Sequence, residues 1–230
     1  MRAELPAAAR PRTLLSWSGG KDCAFALQVL RREGQHEVVG LVTTINSTTG
    51  GVAMHAVPGD LLNAQASALG LPVWPVSIPW PCPNAQYEAA MAEVITGAAA
   101  QGITRMAFGD LFLEEIRAYR LQQLAGTGIE PVFPVWGLAT PELAREMIGS
   151  GLRALLVCVD PTRIDPSFTG REFDERLLSE LPRTVDPCGE NGEFHTFVYD
   201  GPGFRQPLSV AVAGLEARDG LVFANLRAAA

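Results

Sequence analysis

Two adjacent glycines and a lysine stand between a short apolar run and a helical one, in TLLSW-SGG-KDCAFALQVL at residues 13–30. TLLSW reads as a buried strand ending at the glycines. From residue 22 to 32 the apolar residues Phe25, Ala26, Val29 and Leu30 recur at helical spacing, and Gly34 ends the helix. A strand that passes through glycines straight into a helix opens a β–α unit, and the units that follow repeat it. EVVGLVTTI is a strand rich in β-branched residues, NSTTGG a loop, and 60–69 a helix closed by Gly70. PVWPVSI reads as extended, 84–100 as an alanine-rich helix closed by Gly102, and TRMAFGD as a strand. Residues 114–124 form a helix and EPVFPVW is extended again. This alternation implies right-handed crossovers and a parallel sheet with helices on both faces. Ligands of such sheets sit at the carboxyl ends of the strands, which is where SGGKD lies.

The second part has another pattern. Residues 141–148 read as a helix, ALLVCVD as a buried strand, PTRIDPSFTG as a polar loop and 172–181 as a helix. FHTFVYDG, LSVAVAGLEA and GLVFANL then make a β-rich, antiparallel tail with RDG as a tight turn. The expected organisation is an α/β parallel-sheet domain over 1–135 and a smaller α+β domain over 136–230. The length of 230 residues is ample for that. A net charge of −7 argues against a nucleic-acid partner. Cys23, Cys82, Cys158 and Cys188 form no Cys-x-x-Cys pair, which disfavours a zinc cluster or a disulfide framework. No apolar run approaches the roughly 20 residues of a membrane span, and the N-terminus lacks a signal-peptide core. The expectation is a cytoplasmic protein, with a homodimer as a candidate assembly.

Read from the residues alone, SGGKD has two meanings, a glycine turn with Asp22 near a helix start, or a phosphate cradle. Gly19 and Gly20 let backbone amides approach an anion, the helix N-terminus adds partial positive charge, and Lys21 adds a full one. The spacing is not that of a Walker loop, which needs a glycine at Leu15. In FGDLFLEEIRAYR, Gly109 and Asp110 end another strand facing the same crevice. Glu114, Arg117 and Arg120 follow at helical spacing, either as a solvated ion-paired face or as the rim of a pocket. In CGENGEFH, Cys188, Gly189, Glu190, Asn191, Gly192, Glu193 and His195 crowd polar groups before an apolar strand. That stretch is either an Asn-Gly turn or a substrate site, with His195 as an acid–base group. His55 sits in the 46–60 loop as a weak candidate. No nucleophile elbow, dinucleotide fingerprint or His-x-x-x-His pair is present, so serine-hydrolase, Rossmann-oxidoreductase and zinc-hydrolase readings have no footing.

SGGKD in its strand–loop–helix setting resembles the PP-loop of ATP pyrophosphatases. SWSGGKDCAFAL, MHAVP, WPC, FGDLFLEEIRAYR, GTGIEPVFPVWG, VCVDPTRIDPSFTGREFD and DPCGENGEFHTFVYDGP together resemble the diphthine–ammonia ligase family, in order and along nearly the whole chain. The chain departs from the family pattern at Ala56 and Pro58, where a glycine and a basic residue are usual. The resemblance implies a Rossmann-like, HUP-type PP-loop ATPase domain. It also implies a ligase that uses ATP to adenylate a carboxylate, releases pyrophosphate, and lets ammonia form the amide. The acceptor it implies is diphthine on elongation factor 2, or a related carboxylate. It assigns nucleotide binding to Ser16, Ser18, Gly19, Gly20, Lys21, Asp22, Cys23, Thr43, Thr44, Gly109 and Asp110, with the threonines beside the adenine and Cys23 as packing. Mg²⁺ is the expected companion of the triphosphate, with Asp22 as its candidate contact. Catalysis falls to Lys21, Asp22, Glu190 and His195. Glu114, Arg117, Arg120 and the 188–195 cluster fall to the acceptor and ammonium. The competing readings are a tRNA-modifying PP-loop enzyme, disfavoured by the acidic charge and the lack of cysteine pairs, and a non-catalytic ATP or AMP sensor, disfavoured by the second polar cluster.

Overall fold

The computed structural model describes residues 9–48, 50–51 and 57–229. His55 and Ala56 therefore lie outside the described residues. The first half forms five parallel strands, β1 (Arg12–Ser16), β2 (Glu37–Asn46), β3 (Val73–Ile78), β4 (Arg105–Ala107) and β5 (Glu130–Val132), in the order β3-β2-β1-β4-β5. The crossovers are α1 (Lys21–Glu33), α2 (Gly59–Leu69), α3 (Asn84–Ala100) and α4 (Glu114–Leu124). The chain winds outward from β1 to β3 on one side and restarts at β4 on the other. The carboxyl ends of β1 and β4 therefore flank the point where the winding reverses, and a crevice opens there. The sheet and helices are those expected from sequence, with two trims. TRMAFGD pairs only over 105–107, and EPVFPVW only over 130–132, after which residues 134–137 turn.

The second half adds α5 (Thr140–Gly149) and an antiparallel sheet, β6 (Arg153–Val159), β7 (Phe194–Asp200), β8 (Val210–Arg218) and β9 (Leu221–Ala228), in the order β7-β6-β9-β8. The β8–β9 hairpin turns at Asp219 and Gly220, both at positive φ, as RDG suggests. The helix read at 172–181 is shorter, α6 (Glu175–Glu180), capped by the Asp174 carboxylate accepting from Leu177 N–H at 2.7 Å. Glu172 instead bridges to Leu155 as extended chain.

Alternation along β1 divides the core. Leu14 faces Met91, Ile95 and Ala98 of α3, while Leu15 faces α1 and α2. The second cluster continues past α1 into Leu156, Phe197 and Val198 of the antiparallel sheet. Helix α1 thus lies between the two sheets, and eight of its thirteen residues are buried. That places its first turn where both halves of the chain meet.

Candidate active site

The first turn of α1 has no side-chain cap. Gly20 is the N-cap residue in extended conformation, and Gly19 is at φ +82°. The carbonyl of Gly19 accepts from Val198 N–H at 2.8 Å and from Gln65 Nε2 at 3.0 Å. Lys21 N–H donates to Thr196 Oγ1 at 3.0 Å, so strand β7 takes one of the helix's four free amides. The amides of Asp22 and Cys23 follow at the open end. Gly109 is packed against them so closely that a Cβ there would lie 2.8 Å from Cys23 N. Ser18 Oγ accepts from Gly20 N–H at 3.3 Å.

The Lys21 side chain does not reach outward. It is 2% exposed and lies 5.7 and 5.6 Å from the ring centres of Phe173 and Phe194. Its ammonium donates to both Asp22 oxygens at 2.9 Å and to the carbonyl of Cys188. Burial alone would lower its pKa, but Asp22, Cys188 and Glu190 outweigh that and raise it, so Lys21 stays charged. The lysine joins the glycine loop to the loop that carries the second polar cluster.

That second loop is braced by two carboxylates. Glu193, buried, accepts from Asp186 N–H at 3.1 Å, Asn191 N–H at 3.0 Å and Asn191 Nδ2 at 3.2 Å. Asp186 accepts from Cys188 N–H at 2.9 Å and Glu190 N–H at 3.3 Å, and from the Thr140 hydroxyl of α5 at 2.5 Å. Glu190 is left projecting to the crevice, where Oε1 accepts from Leu111 N–H at 3.2 Å. A cavity of 210 Å³ is lined by Ser16, Ser18, Asp22, Cys23, Gly109, Asp110, Arg120, Glu190 and His195. An adjoining space of 160 Å³ shares five of these and adds Gly20, Lys21, Cys188, Gly189, Gly192 and Thr196 among its walls. Burial, followed by the charges of Asp22 and Asp110, pushes Glu190 up to about 7. Asp110 is also raised by burial, against the pull of Arg120, whose Nε lies 3.6 Å from its carboxylate. Burial and the Lys21 charge lower His195, which keeps its imidazole neutral near pH 7.

Thr43, Thr44, Glu114 and Arg117 lie outside the walls of these two spaces, whereas Cys23 and Cys188 line them. The hydroxyl of Thr43 donates to Trp17 O at 2.8 Å and is buried, while its neighbour Thr44 is half-buried on β2. Glu114 is exposed, and Arg117 lies over the rings of Phe133 and Trp136 at 5.4 and 4.8 Å. The thiol of Cys188 donates to Thr140 O at 3.5 Å, and burial pushes it up to about 12. Cys23 is buried and raised likewise, by burial first. Neither thiol is poised as a nucleophile. Gln65, Thr196 and Asp186 were not anticipated. Gln65 had a signal, a polar residue on the apolar stripe of Leu61, Leu62, Ala66 and Leu69. Asp186, two residues before Cys188, had the signature of an Asx turn.

Two family models match, one to each part of the chain. The family model described as the diphthamide synthase N-terminal domain matches residues 11–123, and the one described as the diphthamide synthase C-terminal domain matches 139–222. The protein named diphthine–ammonia ligase of Homo sapiens is 34% identical over 87 residues, which are 36% of this chain and 33% of that protein. The Bos taurus protein of the same name is 33% identical over the same length, and that of Schizosaccharomyces pombe 31% over 83 residues, 34% of this chain and 14% of its own. The chain spans about a third or less of the length of these curated relatives. With the glycine loop inside one matched domain and the 186–195 loop inside the other, the chain belongs to the diphthamide synthase family.

Proposed function

We propose that this chain is an ATP-dependent carboxylate–ammonia ligase that works through an acyl-adenylate, with diphthine or a related carboxylate as acceptor. The observation that carries the reading is the convergence of the glycine loop and the 186–195 loop on one cavity. The relatives' name supplies the acceptor. The functional division falls near residue 136, with 1–135 holding the nucleotide and 136–230 supplying the loop that faces it. The setting proposed is the cytoplasm. Among the described residues no helix is long and apolar enough to cross a membrane.

Each part of the site has work in this chemistry. The uncapped first turn of α1 and Ser18 suit the phosphates, because free amides and the helix dipole favour anions. A carboxylate oxygen of the acceptor attacks the α-phosphorus, and the bond to pyrophosphate breaks. The nitrogen of ammonia then attacks the acyl carbon, AMP leaves, and one proton must be taken up. Glu190, at about 7, and the neutral His195 both stand in the cavity to take it. Lys21 is assigned to holding the loops together while charged, and its contacts run to Asp22 and Cys188.

Mg²⁺ fits this reading as a shared ion. Among the described residues no group of three metal-ligating side chains could hold a metal alone, whereas Mg²⁺ in nucleotide sites takes one or two carboxylates plus phosphate oxygens. Asp22 is on the cavity wall and would be that carboxylate, with lone pairs left beyond its bonds to Lys21. Bound there, the ion would neutralise phosphate charge. Phosphorus NMR of the protein with Mg·ATP, ammonium and a diphthine-bearing acceptor tests the proposal. AMP plus pyrophosphate is expected, and ADP plus phosphate would overturn the adenylation step. Glu190→Gln and His195→Ala are expected to bind ATP and to stop amide formation.

A further inference from the structure

One buried side chain touches three parts of the molecule that must agree for the site to exist. Gln65 of α2 is 0% exposed. Its Oε1 accepts from Trp17 Nε1 at 3.0 Å, at the end of β1. Its Nε2 donates to Gly19 O at 3.0 Å, in the glycine loop, and to Val198 O at 2.6 Å, on β7 of the second sheet. The amide thus makes three hydrogen bonds to three separate segments, the full use of its two donors and one acceptor lone pair. Gly19 fits because it has no side chain. A Cβ there would lie 2.9 Å from Gln65 Oε1.

The consequence is directional. Two donors, Val198 N–H and Gln65 Nε2, hold the Gly19 carbonyl inward. In a planar trans peptide the next N–H, that of Gly20, points the opposite way, to Ser18 Oγ on the cavity wall at 3.3 Å, so the turn into α1 is fixed with that amide and Ser18 on the crevice side. The same glutamine bonds to Val198, three residues from His195 and two from Thr196, which itself accepts from Lys21 N–H. We propose that Gln65 is a positioning residue that sets the glycine loop for phosphate binding and registers it against the strand carrying His195. The proposal rests on the ATP reading above. It adds that α2, which contributes no group to the cavity wall, controls the phosphate end of the nucleotide site.

The test compares ATP with adenosine. Gln65→Met keeps length and bulk but removes all three bonds, and Gln65→Glu keeps the acceptor and, when protonated, one donor. Binding of Mg·ATP and of adenosine is measured by calorimetry well below each variant's unfolding temperature. A phosphate-positioning role predicts that Gln65→Met weakens Mg·ATP by about tenfold or more, the scale of a lost buried hydrogen bond, and leaves adenosine affinity within about twofold. Gln65→Glu should fall between, and closer to the parent at pH 6 than at pH 8. A purely structural glutamine would lower the unfolding temperature and leave the ATP-to-adenosine ratio unchanged, and that result overturns the proposal. Where Gln65→Met fails to fold, the pH dependence of ATP binding by Gln65→Glu relative to the parent decides alone, because Glu190 and His195 give the parent a dependence of its own, and a profile parallel to the parent's overturns it. A parent protein that binds no ATP overturns the ligase reading itself, a distinct failure.

Discussion

The glycine loop at 18–21 is held almost entirely by groups outside itself, whereas the loop at 186–193 is held mostly by its own carboxylates. Gln65, Val198 and Thr196 fix the first from a helix and a strand distant in sequence. Asp186 and Glu193 fix the second by accepting the N–H groups of 186, 188, 190 and 191. The first gives its Gly20 amide to Ser18 Oγ and its Lys21 amide to Thr196 Oγ1, and leads into the amides of Asp22 and Cys23 at the open end. The second must spend two carboxylates on itself to free a third, Glu190, for the cavity. The carboxylates of the motif therefore divide into those that brace the loop and one, Glu190, that faces the cavity. Lys21 is the tie between the two, and the largest effect is expected there. Lys21→Met leaves Asp22 without its partner in a part-buried site and removes the bond to Cys188 O. The loss should be about 3 kcal/mol of stability, with ATP turnover abolished, read by urea titration alongside AMP release. Near-parental stability in that variant would break the claim that Lys21 ties the two loops.

The glycines of the second loop separate backbone strain from collision. Gly189 and Gly192 are at φ +70° and +85°. A Cβ on Gly189 would lie 2.8 Å from Phe194 O, while nothing lies within 4 Å of one on Gly192. Gly189→Ala should cost about 3 kcal/mol and Gly192→Ala about 1 kcal/mol, the left-handed penalty alone. Equal costs would mean that the loop shifts freely and is not braced. Glu193→Gln tests the bracing directly. It exchanges a charged acceptor of three bonds for an amide with only one acceptor oxygen, for a loss of about 2 kcal/mol by the same titration. Glu190→Gln, one turn of the same loop away, should cost little stability and remove amide formation.

Much of this was legible in advance, for a physical reason. Strand and helix periodicities are local, so β1 to β5, α1 to α5 and the RDG hairpin follow from runs of a few residues. The glycine loop was legible because glycines and a lysine at a strand–helix junction have few uses. What the sequence did not carry is the direction of side chains across long separations. Lys21 has the charge of a phosphate ligand, yet its ammonium turns to a carbonyl 167 residues away. Thr43 has a hydroxyl at the strand end, yet donates it to Trp17 O. Glu193 and Glu190 differ by three positions and share a side-chain type. Only the fold decides that one braces and the other faces the cavity. The shortened α6 is a milder case, since Glu172 has a strand partner in Leu155 that no local pattern announces.

The smallest effect is a slope with pH, and it isolates Glu190 from its braces. Its folded pKa, about 7, stands above the ordinary carboxylate value, so the folded protein holds that proton more tightly than the unfolded chain. By linkage the native state is favoured at low pH, and this contribution is lost as pH rises from about 4.5 to about 7. His195 works the other way. Its folded pKa is lowered, so its contribution is lost as pH falls below 6.5. The two nearly share a window, and the parent's stability profile there mixes them. The difference between parent and Glu190→Gln removes the histidine, because His195 is present in both. That difference, from urea midpoints at successive pH values, should favour the glutamine variant increasingly between pH 4.5 and 7 and level off above. A flat difference would mean that Glu190 is solvated rather than buried beside Asp22 and Asp110, and the braces would then deliver no carboxylate with a raised pKa to the cavity.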